Sequence, residues 1–178
     1  MSTRWLAVTP ILILGDMALL FGLYGLRHDP HVIPEALVGR QAPSVNLHRL
    51  DNGEMQSVTA TAHPPRVRLV NFFASWCVPC VAENSSLLAL KTGGVSITGV
   101  AYKDKPSATK AFLSRLGDPF DVVLVDPDGV AGVEYGVSGV PETFAVSQDG
   151  KILAKHSGEL TPEIADRLLA SADQSAKR

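Results

Sequence analysis

"NFFASWCVPCVAE", Asn71 to Glu83, holds the only two cysteines of this 178-residue chain, Cys77 and Cys80. The run leading into it, Arg66 to Ala74, turns apolar after Arg68, the pattern of a central strand buried on both faces. From Cys77 to Lys91 the pattern becomes helical. Val81, Leu87, Leu88 and Leu90 supply the expected apolar face, and Gly93–Gly94 the stop. Both cysteines therefore sit where a buried strand hands over to a helix.

Upstream, alternating segments at Ser44–Leu50 and Met55–Val58 flank "DNG", a hairpin signal. Downstream, the strand "VSITGVAY" precedes a helix over Pro106–Leu116, with Ala108, Ala111, Phe112 and Leu116 expected on its inner face. "DVVLVDPDG" reads as another buried strand and turn, and "GVAGVEYG" as a short helix. "GVPETFAVSQDGKILAKH" then reads as two strands joined by a turn at "SQDG". A last helix opens with Thr161 as N-cap and Pro162 at its first position, turning Ile164, Leu168 and Leu169 to the core. Strands alternating with helices predict an α/β domain, its sheet parallel at the centre, covered on both faces, and finished by an antiparallel edge hairpin.

The chain carries 16 Lys and Arg against 18 Asp and Glu, a net charge of −2, with no basic stripe, so its composition excludes an electrostatic nucleic-acid binder. Trp5–Leu26 is apolar with the single charge Asp16, and roughly 20 such residues in a helix cross a ~30 Å hydrocarbon core. Its Leu, Ile, Val and Phe residues each favour insertion by ~0.3–0.6 kcal/mol, which outweighs the ~2.5–3.5 kcal/mol cost of Asp16. A cleaved signal peptide is the competing reading, but it needs a shorter apolar stretch and a small-residue cleavage site, and none stands between Leu23 and Ile33. The expected organisation is a membrane anchor over 1–26, a proline-bearing tether over 27–37 and the folded domain over 38–178. The export-signal-like start places the N-terminus in the cytoplasm and the domain outside.

A cysteine pair separated by two residues can bind metal, tie off a turn or exchange electrons. Zinc wants four ligands, and His28, His31, His48, His63 and His156 show no paired ligand spacing. No histidine follows Cys80, so the pair is not a haem attachment motif, and no cofactor is expected. A passive disulfide suits an oxidising compartment, but a loop closed around two residues constrains the unfolded chain very little. Position favours chemistry. At a helix start, unpaired N–H groups and the helix dipole favour a thiolate, lowering a cysteine's pKa from about 8.5 into the range of roughly 3.5–7.5. Cys77 is thus the expected nucleophile, Cys80 the resolving thiol beneath it, and Pro79 a stiffener of the first turn.

"FFASWCVPC" followed by "GVPETF" resembles the thioredoxin fold, which implies a cis Pro141 packed against the dithiol and a Val140 backbone offered to an extended substrate. The resemblance extends to the membrane-anchored thioredoxin-like proteins of cytochrome c maturation. Their motifs are met by Ile33–Pro43, Asn71–Glu83, Tyr102–Asp104 and Tyr135–Phe144, and the match runs from the anchor to about Leu169. It implies a thiol:disulfide oxidoreductase at the periplasmic side of the inner membrane. Its substrate would be a disulfide in apocytochrome c or in a maturation partner, reduced before haem attachment, and a membrane thiol reductase would supply the electrons.

Thioredoxins place a buried aspartate where this chain has Asn71, which cannot accept a proton from Cys80. Glu83, one turn beyond Cys80, is the acid that the family pattern puts in its place; from spacing alone it is a solvated helix residue. Glu142 reads equally as an exposed strand-start residue or as part of an acidic groove beside Pro141. Trp76 reads as a ring over the nucleophile that contacts the partner. Tyr102, Lys103 and Asp104 line the same groove or form a solvated turn. Two further functions stay open: a broader anchored thiol reductase or oxidase, and a redox-inert docking module for an apoprotein.

Overall fold

A computed structural model describes residues 10, 13–20, 37–60 and 66–177. Two compact units divide the chain, Met1–Glu35 and Ala36–Arg178. In the first, residues 13–20 are helical, with Ile13, Leu14, Met17, Leu19 and Leu20 exposed. Most of the expected anchor over 1–26 and all but the last residue of the expected tether over 27–37 lie outside the described residues, and among those described no helix is long and apolar enough to cross a membrane.

The second unit is built on one seven-stranded sheet of order β2-β1-β5-β4-β3-β6-β7. Its strands are β1 (Asn46–Arg49), β2 (Met55–Ser57), β3 (Val67–Phe73), β4 (Ile97–Tyr102), β5 (Val122–Asp126), β6 (Glu142–Ser147) and β7 (Ile152–Ser157). The helices are α1 (Val78–Thr92), α2 (Pro106–Leu116), α3 (Val130–Glu134) and α4 (Pro162–Ser175). β3, β4 and β5 run parallel, as crossover helices require, and the outer pairings are antiparallel. One expectation is corrected here. Only β7 of the last hairpin is an edge strand, because β6 pairs with β3 along its length and so belongs to the interior.

β3 explains its continuous apolar run by facing two cores. Leu69 and Phe73 enter the cluster under α1, α2 and α4, where Phe73 stacks on Phe120 with ring centroids 4.7 Å apart. Val70 and Phe72 enter the opposite cluster, where Phe72, Tyr135 and Phe144 pack mutually at 5.2–5.7 Å. Gly132 in α3 is required by close approach. A Cβ there would clash with the Tyr102 ring.

The inner faces of two helices differ from the pattern. Buried on α1 are Cys80, Glu83, Asn84, Ser86 and Leu87, while Val81 is exposed. Positions 80, 83, 84 and 87 form a regular helical stripe, but two of its members are strongly polar. That is tolerated because their polar groups are bonded: Asn84 donates to the carbonyls of Leu116 at 2.9 Å and Gly117 at 3.3 Å, and Glu83 is described below. On α2 the buried residues are Thr109, Phe112 and Leu113, and Ala111 faces solvent. α4 keeps its Thr161 cap, with the hydroxyl accepting from the Ile164 N–H, and buries Ala165, Leu168 and Ala172 with Ile164 and Leu169 packed at the margin.

Candidate active site

β3 ends at Phe73, and the chain turns through Ser75 and Trp76 into the N-terminus of α1. Cys77 is the N-cap residue, in extended conformation, and Pro79 lies in the first turn. Cys77 and Cys80 form a disulfide and are both almost buried, at 4% and 2% exposure. The backbone N–H of Cys80 points at Cys77 Sγ from 3.2 Å. This N–H is one of the unpaired donors of a helix start, and once the pair is reduced it stabilises a thiolate at Cys77.

One loop meets these sulfurs directly. The Val140–Pro141 peptide bond is cis, as the resemblance implied, and the Val140 carbonyl oxygen lies 3.4 Å from Cys77 Sγ. Trp76, 59% exposed, donates its indole N–H to the Lys103 carbonyl at 3.3 Å, and Val78 and Val81 are exposed beside it. An apolar rim thus surrounds a nearly covered disulfide. Trp76 is held sideways to the 103–105 turn.

That turn belongs to the site through Asp104, a role that a solvated-turn reading misses. Buried, Asp104 accepts from the Ser75 N–H at 2.7 Å and the Ser75 hydroxyl at 2.9 Å, and also from the Lys105 N–H and the Thr109 hydroxyl. One carboxylate therefore ties the approach to Cys77 to the β4–α2 junction. Lys103 takes the left-handed backbone, φ 47°, that the turn needs.

Glu83 is 1% exposed, so it is not a solvated helix residue. Its Oε1 accepts from Asn71 Nδ2 at 3.0 Å and its Oε2 from the Leu160 N–H at 2.9 Å. Asn71 Nδ2 also donates to the Thr143 hydroxyl at 3.0 Å, which ties the acid to the strand that follows Pro141. Burial pushes Glu83 up to about 7, against the opposing pull of the Asn71 and Leu160 donors and with a small contribution from Glu159. A carboxyl that titrates near neutrality can hold or release a proton under the conditions in which thiols exchange.

Glu142 is likewise buried, not exposed, and its carboxylate faces inward. Oε1 accepts from the hydroxyls of Ser138 at 2.7 Å and Ser157 at 3.0 Å and, at 3.3 Å, from the Ser138 N–H. Oε2 lies 2.9 Å from Lys155 Nζ, an ion pair without hydrogen-bond alignment. Lys155, Ser138 and Ser157 carry no motif that marks them in the sequence.

The redoxin family model matches residues 37–171. HelX, a thiol:disulfide interchange protein of Rhodobacter capsulatus, is 41% identical over 138 residues, 78% of each chain. The chain belongs to the thiol:disulfide interchange proteins of the redoxin family. A DsbE homologue from Paracoccus denitrificans is 42% identical over 154 residues, covering 86% of this chain and 85% of that one. Among solved structures, a thiol-disulfide oxidoreductase from Bacteroides fragilis superposes with a TM-score of 0.62 at 24% identity, over 74% of this chain and 98% of that one, a likeness that carries the thioredoxin-like fold. The only two cysteines of the sequence are the pair that the fold sets against the loop of cis Pro141.

Proposed function

We propose that this interchange protein reduces a disulfide in apocytochrome c, or in a maturation partner carrying that disulfide, from a membrane anchor formed by residues 5–26. The single observation that best supports exchange is the placement of Cys77 Sγ between the Cys80 N–H and the Val140 carbonyl, at the start of a helix that buries an acid, Glu83. Reduction rather than oxidation follows the motif resemblance to the anchored proteins of cytochrome c maturation.

In the reduced protein the Cys77 thiolate attacks one sulfur of the partner disulfide. The other partner sulfur leaves as a thiolate and takes a proton, and a mixed disulfide forms. Cys80, deprotonated toward Glu83, then attacks Cys77 Sγ. The second partner thiol is released, and the Cys77–Cys80 disulfide found in this structure is regenerated. Two electrons pass to the partner and the protein is left oxidised. A membrane thiol reductase returns them, since this chain has no further redox pair. Trp76 and Val140 border the partner's path by direct contact, and Glu142 lies buried behind it.

Cys80→Ser tests the reading, because it removes the resolving thiol and leaves the mixed disulfide intact. The expected catch on Cys77 is an apocytochrome c or a maturation protein. A broad set of exported proteins would identify a general reductase or oxidase instead. Full cytochrome c assembly in Cys77→Ser would overturn a redox role and leave docking alone.

A further inference from the structure

The carbonyl that meets Cys77 sits on the loop Gly136–Pro141, which has a buried clamp behind it. Lys155 Nζ donates to the Gly136 carbonyl at 3.3 Å, lies 2.9 Å from Glu142 Oε2 and stands 5.2 Å above the Phe144 ring. Glu142 in turn accepts from both the N–H and the hydroxyl of Ser138, inside the same loop, and from Ser157 across the strand pair. Beyond the clamp, Gly158 donates its N–H to the Pro141 carbonyl at 2.8 Å. The lysine and glutamate side chains are 9% and 1% exposed, so the glutamate charge is not offered at the surface of the groove.

We infer that Lys155 is a positioning residue for the exchange reaction: by neutralising Glu142 and holding Gly136, it fixes the loop whose Val140 backbone receives the partner. This rests on the exchange reaction proposed above. It also reassigns Glu142, from an acidic surface that attracts a substrate to an internal brace whose charge is spent on Lys155. Without the lysine, a carboxylate buried among Ser138, Ser157 and Pro141 has no countercharge and is drawn toward water, and Ser138 moves with it. The mutual geometry of the two cysteines and the Glu83 bonds to Asn71 and Leu160 rest on other elements and are kept.

The test uses the full chain, reduced beforehand and mixed in a single turnover with a synthetic extended peptide. The peptide carries a disulfide between two cysteines spaced by two residues. Lys155→Met is expected to raise the half-saturating peptide concentration about tenfold, with the limiting rate and the reduction potential against glutathione unchanged, and Lys155→Arg to restore it. A half-saturation within about twofold of wild type in Lys155→Met overturns the inference. Should that variant fail to fold, Lys155→Gln, which keeps a polar side chain but leaves Glu142 without a countercharge, carries the same expectation and the same overturning result. Amide exchange at Ser138 is read alongside. If wild type itself leaves the peptide oxidised, the exchange reading fails, while faster Ser138 exchange in Lys155→Met still supports the brace and unchanged exchange overturns it.

Discussion

Asn71 Nδ2 donates to Glu83 Oε1 across 3.0 Å, joining the middle of β3 to the first turns of α1 beneath the cysteine pair. An amide here is a fixed donor. It supports the charged form of the acid without competing for its proton, as a second carboxyl would. The buried acid therefore stands on the helix that carries Cys80, not on the strand.

Glu83 makes stability depend on pH in a defined direction. Its folded value of about 7 lies above the ordinary 4.5, so between these values the folded protein holds a proton that the unfolded chain has released. The contribution is full below about pH 4.5, falls as pH rises toward about 7, and is level above; the difference amounts to about 3 kcal/mol. Denaturant unfolding from pH 4.5 to 8.5 is expected to show this slope in the wild type and a flattened one in Glu83→Gln.

The same substitution separates proton handling from packing. Glu83→Gln is expected to slow release of the mixed disulfide by Cys80 on the order of a hundredfold near neutral pH, while the first attack by Cys77 changes much less. Rapid quenching of the two steps measures both rates. Equal slowing of both, or of neither, contradicts the role given to Glu83.

Asn71→Leu removes one of the two donors to a buried carboxylate. Loss of a charge-assisted bond destabilises by about 1.5–3 kcal/mol, and the loss should be larger at pH 8.5, where Glu83 is ionised, than at pH 5. Unfolding midpoints at the two pH values test the difference.

Asp104→Ala leaves the Ser75 N–H and hydroxyl without their partner, along with the Lys105 and Thr109 donors. The expected destabilisation is about 3 kcal/mol. Amide exchange at Ser75 should rise more than at the centre of β3, because the lost bonds anchor the loop and not the sheet.

Gly132→Ala drives a Cβ against three atoms of the Tyr102 ring. Overpacking of this kind destabilises by about 1–3 kcal/mol, and adding Tyr102→Ala should relieve part of it. A double-mutant cycle in thermal unfolding reads the coupling.

The strands and helices were legible wherever burial is apolar. β3 announces itself by an unbroken run and the crossover order by alternation, while the cis Pro141 is carried by a motif. The inner stripe of α1 was not legible in the same way. Apolar periodicity counts Val81 as core, yet Glu83 and Asn84 are buried because donors and acceptors arrive from Leu160 and Leu116, 77 and 32 positions away. Glu142 failed for the same reason: Ser138, Ser157 and Lys155 satisfy it only after β6 and β7 have paired. Asp104 lay in a quoted motif, but its task was visible only once β4 brought it beside Ser75.

Trp76 gives the protein an optical gauge of its own state. Its indole is next to Cys77 in the chain, exposed, and held at one end by the Lys103 carbonyl. A disulfide beside an indole drains its emission, so reduction should brighten Trp76 and a partner covering the rim should shift its colour. The only other tryptophan is Trp5, and Trp5→Phe leaves a single emitter that reports redox state and occupancy without any added label.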